Sequence, residues 1–416
     1  LRIKEKNSIP EKHTSDGGRI FQMSPAEHSL LKETSREYLR AKHLLKYRGL
    51  DDEGISLGLA EIDFDIPEPV KKAIIDAVLN GEYHYCPSEG LPDFLQAVVD
   101  RWKRFNNVDI KAENVLPTVG AMNGIWLTAQ VCLEPRDEVL VITPIYTPIL
   151  NHMASTGARV ISCPARSKDF HIDLEKIEER VSERTKMIAI CNPNNPAGAV
   201  YTKSELEGLA DIARRRKIYI FSDEIYDAIT YNGRKHVSIA SLPGMEDLSI
   251  TVNGFTKAYG LSGLRIGYVV ASKEIIARMR TLNSGIIIHP DVIAQKAAAV
   301  AYNECDKWIE ALRKHCERMR NILCDSLNKF KSISCPRPEG TFFAFPDVSN
   351  LFKDDVEASS WLEKKYKVRM SAGSMYGDGG KGHLRINFAT TEEILQEALR
   401  RISEAIHEIE RNYQLL

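Results

Sequence analysis

Asn253-Gly254-Phe255-Thr256-Lys257-Ala258-Tyr259-Gly260-Leu261-Ser262-Gly263-Leu264-Arg265-Ile266-Gly267-Tyr268 puts a lysine in a loop of small residues straight after the apolar run Ser249-Ile250-Thr251-Val252. An arginine follows eight positions on, at the start of a second apolar run, Ile266-Gly267-Tyr268-Val269-Val270. Most lysines sit on solvated faces, so Lys257 alone reads as a surface charge. Its place between two strand-like runs asks for more. Similar runs recur upstream at 139–142, 160–163, 187–190 and 218–221. Several are apolar throughout rather than alternating, the pattern of strands covered by helices on both faces. With helical stretches such as Lys203–Arg216 between them, they predict an α/β fold built on a mostly parallel, doubly wound sheet. In such sheets ligands bind beyond the carboxyl ends of the strands.

Outward from that core, residues 1–54 read as a polar arm followed by an amphipathic helix over about 30–50, ending near Arg48-Gly49. A helix is expected over 70–80, closed by Gly81, then a loop over 83–92. The next helix, 93–105, carries Phe94, Leu95, Val98, Val99 and Trp102 on one face. After a helix near 273–282, helical runs fill 291–330, strands are expected at 341–345 and 383–388, and a last helix at 391–411. This suggests a large domain over 55–300 and a smaller α+β domain over 301–416, completed by part of the N-terminal segment.

The 416 residues carry 56 lysines and arginines against 57 aspartates and glutamates. A net charge of −1 gives no electrostatic case for nucleic acid or an anionic membrane, so small molecules are the expected partners. Eight scattered cysteines form no CxxC pair and no Cys/His cluster at zinc spacing, which points to reduced thiols, no metal site and a cytoplasmic location. No run of 18 apolar residues suggests a membrane span.

The expected strand ends carry the chemistry. One ends in Ser222-Asp223-Glu224-Ile225-Tyr226, another in Cys191-Asn192-Pro193-Asn194-Asn195-Pro196-Ala197-Gly198, a third in Thr143-Pro144-Ile145-Tyr146. Thr118-Val119-Gly120-Ala121-Met122-Asn123 opens a helix whose free N–H groups and dipole suit a phosphate, to which Arg265 can add charge-assisted bonds. Individually these have plainer readings: Asp223 as a helix cap, Asn195 as part of a turn, Tyr146 as a core edge, Tyr85 as a packing residue in its loop.

Together, over about 55–409, they resemble the fold-type I pyridoxal 5′-phosphate enzymes, and within them the class I/II (aspartate aminotransferase-like) aminotransferases. The likeness rests on the lysine loop with its Gly-X-Arg-X-Gly-Tyr continuation; Gly254 and Thr256 stand where serines are common. The resemblance implies that Lys257 carries the cofactor as a Schiff base and that Asp223 lies under the pyridine nitrogen. It further implies that Asn195 and Tyr226 bond the phenolic oxygen and that Tyr146 stacks on the ring. Gly120, Ala121 and Met122 would cradle the phosphate, with Thr256 and Arg265 beside them. Tyr85 would reach the phosphate of a partner subunit, making a homodimer with composite sites. Arg385, in His383-Leu384-Arg385-Ile386-Asn387-Phe388, would grip the substrate carboxylate, a task for a planar fork. Ala60 replaces a usual glycine at the substrate, and Ile62 a common proline. The implied activity is ping-pong transfer of an α-amino group to a 2-oxo acid, commonly 2-oxoglutarate. The segment 283–290, apolar and without arginine, leans towards apolar or aromatic donors, and His289 reads as a structural or dimer-contact residue. A carbon–sulfur β-lyase shares this cofactor shell, although Tyr226 stands where such lyases often have histidine. A non-catalytic ligand sensor is the third reading.

Overall fold

The structure, a computed structural model, describes residues 30–413; the arm before residue 30 lies outside the described residues. Its strands are β1 (Ile55–Ser56), β2 (Val115–Thr118), β3 (Glu138–Thr143), β4 (Arg159–Pro164), β5 (Thr185–Cys191), β6 (Tyr219–Asp223), β7 (Ser249–Gly254), β8 (Gly267–Val270), β9 (Phe343–Ala344), β10 (Val368–Arg369), β11 (Ser371–Ala372) and β12 (Leu384–Asn387). Seven of them form one sheet in the order β2-β8-β7-β6-β5-β3-β4. The pairs from β4 to β7 are parallel, and β8 runs antiparallel to both its neighbours. This is the expected α/β fold with one reversed strand.

The unbroken apolar runs follow from two-sided cover. Along β3, Val139 and Val141 join one hydrophobic cluster and Leu140 and Ile142 another; along β5, Met187 and Ala189 face the first, Ile188 and Ile190 the second. Since successive side chains point to opposite faces, both faces must be apolar. Only the edge strand β4 is largely half-buried. The other edge is β2, which the sequence pattern does not advertise because Pro117 cannot donate to a ladder; an edge position tolerates it.

A smaller antiparallel sheet, β11-β12-β9, lies with the helices Asp306–Leu327, Asp355–Tyr366 and Glu392–Tyr413. The early strand β1 pairs in parallel with β10, Ile55 opposite Val368. Two expected helices come out differently. The first is split at His43 into Arg36–Lys42 and Leu44–Tyr47. Beyond the break Lys46 turns inward to Asp63 at 2.6 Å, both side chains wholly buried, so a continuous solvated face is not what this segment needs. The run 93–105 is α-helical only over Pro92–Arg101 and then widens into a π-turn, Trp102–Asn106, closed by Asn107 in the left-handed region. The helical runs expected over 291–330 are the two helices Val292–Glu304 and Asp306–Leu327, divided at Cys305.

Candidate active site

Because β3, β5, β6 and β7 are parallel, the residues that follow their ends emerge on one side of the sheet. There Ala60, Ala121, Met122, Tyr146, Asn195, Asp223, Tyr226, Thr256, Lys257, Arg265 and Arg385 line a single cavity of about 820 Å³. These belong to distant parts of the chain, and the fold brings them together.

Lys257 points its amine at the carbonyl of Ala60, 2.7 Å away. Burial pulls its pKa down to about 8; Arg385 adds to that, Glu61 and Asp223 oppose it, and Arg265 contributes least. Asp223 accepts the Ile225 N–H at 3.2 Å. Its carboxyl is pushed up to about 6 by burial, against the Ile225 hydrogen bond and the Lys257 charge. Tyr226 is buried with no partner for its hydroxyl, and burial holds that group well above an ordinary phenol. Each of these groups is desolvated and short of partners, a state that costs free energy unless a ligand completes it.

The two arginines are set differently. Arg265 donates to the Ser262 carbonyl at 2.9 Å, with its own backbone at φ +51°. Its guanidinium lies over Gly120, which has φ +71° and where an added Cβ would stand 2.6 Å from Nη2. Gly120 therefore opens the helix Gly120–Cys132 behind the arginine and does not line the cavity itself. Gly267 on β8 is needed for a similar reason, since a Cβ there would come 2.8 Å from the Ala121 nitrogen. The helix N-terminus and Arg265 thus form one anion-binding corner. Arg385 donates to Asn195 Oδ1 at 2.8 Å and to the Gly58 carbonyl at 2.5 Å, its plane against the rings of Phe343 and Tyr376, while Nε has no partner. Neither arginine forms an ion pair among the described residues.

Two of the expected elements lie outside the cavity of their own chain. Tyr85 is 86% exposed, outside the cavity, with its ring edge-on to His289. The segment 283–290 does not line the cavity of its own chain; Ile286 and Ile288 face outward there. His289 uses both ring nitrogens locally, accepting from the Cys86 N–H at 3.3 Å and meeting the Pro290 carbonyl at 2.8 Å. The cavity also has walls that the sequence does not single out: Lys42, His43, Leu44 and Leu45 from the first helices, Pro148, and Met375 and Tyr376. Met375 and Tyr376 sit between Gly373 and Gly377, a punctuated stretch that is the only local hint of them.

An anion corner, a buried carboxylate able to face a ring nitrogen, a spare phenol and a buried amine of lowered pKa suit a phosphorylated pyridine aldehyde. The model for aminotransferase class I and II matches residues 52–402. The chain belongs to the class I and II aminotransferases. Among relatives, an aspartate aminotransferase of Pyrococcus horikoshii is 33% identical over 92% of this chain and 97% of its own length. The aromatic-amino-acid aminotransferase 2 of Thermococcus litoralis is 33% identical over 85% of the chain and 92% of its own. The crystal structure of an aromatic aminotransferase from P. horikoshii superposes with a TM-score of 0.83 at 31% identity, covering 86% of this chain and 96% of that one. This aminotransferase is a pyridoxal phosphate enzyme of fold type I, and the helix N-terminus with Arg265, the buried Asp223 and the unpartnered Tyr226 hydroxyl fit that cofactor.

Proposed function

We propose that the enzyme moves the α-amino group of an L-amino acid with an apolar or aromatic side chain to 2-oxoglutarate, in ping-pong order. The observation that carries this reading is the single cavity holding a buried amine at Lys257, the buried Asp223 and an Arg385 fork without a carboxylate partner. When bound, the cofactor supplies the electron sink that makes an α-proton removable.

The chain's own residues divide the remaining work. Ala121 and Met122 with Thr256 and Arg265 would hold the phosphate, Gly120 opening the helix behind them; Tyr146 would cover the ring, Asp223 would keep its nitrogen protonated, and Asn195 and Tyr226 would bond its phenolic oxygen. Lys257 would anchor the group covalently, and its free amine would move the proton to and from the α-carbon as a general base and acid. Arg385 grips the α-carboxylate, with the backbone at Ala60 alongside. The donor class is supported by Leu44, Leu45, Pro148, Met375 and Tyr376 on the cavity wall, and by a relative named for aromatic amino acids; other relatives are named for aspartate.

The enzyme works as a homodimer in which Tyr85 serves the partner's site; the exposed Tyr85, Ile286 and Ile288 support this. Its domains divide near 54/55 and 300/301, the pairing of β1 with β10 supporting an N-terminal contribution to the later one. Eight free thiols support a reducing, cytoplasmic setting, and no helix among the described residues is long and apolar enough to cross a membrane.

Purified enzyme with pyridoxal phosphate is screened with single amino acids and 2-oxoglutarate, following glutamate. Phenylalanine, tyrosine or leucine are expected to be consumed faster than aspartate. A preference for aspartate would overturn the donor class. Pyruvate or sulfide released from cysteine-type substrates without an acceptor, and no glutamate from any donor, would overturn the transfer reaction.

A further inference from the structure

At the lip of the cavity Glu61 joins three separate parts of the chain. Its Oε2 meets His43 Nδ1 at 2.8 Å, and its Oε1 accepts from Ser262 Oγ at 2.5 Å. Ser262 in turn offers its carbonyl to Arg265. One residue before Glu61, the Ala60 carbonyl takes the Lys257 amine. The backbone on either side is pinned by Asn387, whose Nδ2 donates to the Leu59 carbonyl at 2.8 Å and the Glu61 carbonyl at 2.7 Å. The backbone here is therefore fixed from behind; the arm meets Glu61 through Lys46 Nζ, 3.5 Å from its carbonyl, and through the carboxylate's bond to His43.

His43 is where the first helix breaks, so its bond to Glu61 sets how Leu44 and Leu45 sit. Beyond them the arm is anchored by the wholly buried Lys46–Asp63 pair. Leu44 and Leu45 line the cavity yet remain 73% and 68% exposed, so each has apolar surface left to bury. With Arg385 committed to a carboxylate and Lys257 to an amino group, they are among the few apolar walls left for a donor's side chain.

We infer that His43, Glu61 and Ser262 form a latch that holds Leu44 and Leu45 over the donor's side chain, with Glu61 as the positioning residue. The inference rests on the aminotransferase reading of this cavity and adds to it how the chain discriminates among donors. A long apolar side chain reaches the two leucines and gains from their burial. A methyl group does not. Glu61 suits this task because burial, which raises its pKa, is outweighed by the His43 and Ser262 hydrogen bonds; these hold it at about 2, so it stays an acceptor throughout the working range.

The test compares leucine with alanine as donors, 2-oxoglutarate being the acceptor, in His43→Ala, His43→Asn and Ser262→Ala enzymes, with hydrogen–deuterium exchange measured over 36–47. For His43→Ala and Ser262→Ala, KM for leucine is expected to rise about five- to tenfold, the order of one lost hydrogen bond. KM for alanine should stay within about twofold, kcat should change little, and exchange over 36–47 should quicken. His43→Asn, whose amide nitrogen can replace Nδ1, should restore leucine binding. The latch is overturned if KM for both donors moves together, if neither moves, or if exchange over 36–47 is unchanged. A wild-type enzyme that uses neither donor would instead count against the functional reading, and exchange would still decide the latch.

Discussion

Two buried groups of titratable side chains in this molecule have opposite character. At the cavity, Lys257 is drawn down to about 8, Asp223 pushed up to about 6, and the Tyr226 hydroxyl and Arg385 Nε lack partners. At the far side of the sheet, His171 bonds Glu205 through Nδ1 at 2.9 Å and Glu339 through Nε2 at 3.0 Å. Glu205 also closes a capping box with Thr202 and accepts the Ile172 N–H, while Glu339 accepts the Val200 N–H and pairs with Arg234. Every polar end there is answered from within the chain. The second group therefore fixes structure, tying the helix Lys203–Arg216 to the loops before β9. The first is finished only by what binds, and the perturbed pKa values follow from that incompleteness.

If the contrast is sound, the two groups respond differently to mutation. Lys257→Ala should reduce amino transfer by at least about 10³-fold, within the span associated with removing a general acid–base and covalent group. The thermal midpoint should not fall, because among the described residues the amine's hydrogen bond is to the Ala60 carbonyl alone, and removing a desolvated lysine relieves burial cost. Residual transfer within tenfold of wild type would break the assignment. Next in size is Arg385→Lys. A lysine keeps the charge but cannot present two parallel donors, and it leaves Asn195 Oδ1 and the Gly58 carbonyl under-served. A fall of about 10- to 100-fold in kcat/KM for the amino donor is expected, the ~1.5–3 kcal/mol of a charge-assisted hydrogen bond. An unchanged KM for every donor would remove Arg385 from the carboxylate site.

The same contrast explains what could be read from the sequence. Strands covered on both faces advertise themselves as unbroken apolar runs, and the strand ends then locate Asp223, Asn195, Tyr146 and Lys257. Arg385 stands out because an arginine inside an apolar strand needs a reason. His43, Glu61 and Ser262 do not stand out. They lie in three unrelated stretches, two of them short of any periodicity, and only folding makes them neighbours. The break at His43 was equally hidden, since the segment's polar pattern is compatible with one continuous helix. Edge strand β2 was masked by Pro117, and β10 and β11 are two residues each, too short for alternation to register. The outward face of 283–290 is a matter of which surface a loop presents, which local composition does not fix.

The smallest expected effect is at the satisfied group, and it is a pH dependence. Burial pushes the His171 imidazole down, but the bonds to Glu205 and Glu339 outweigh it and hold the folded pKa at about 9, against 6.5 for the free side chain. Below pH 6.5 both folded and unfolded chains bind the proton, so the stabilisation is fully present. Between 6.5 and about 9 only the folded chain keeps it, so stability falls as pH rises, and above 9 the contribution is gone. Urea unfolding at pH 6 and pH 9 should therefore show a drop in wild type that shrinks in His171→Gln, which cannot titrate. At any one pH and without urea, amino transfer by His171→Gln should match wild type, because His171 does not line the cavity. An equal drop in both proteins would mean that the imidazole is not held charged by its two carboxylates, and the distinction between the groups would lose its electrostatic basis.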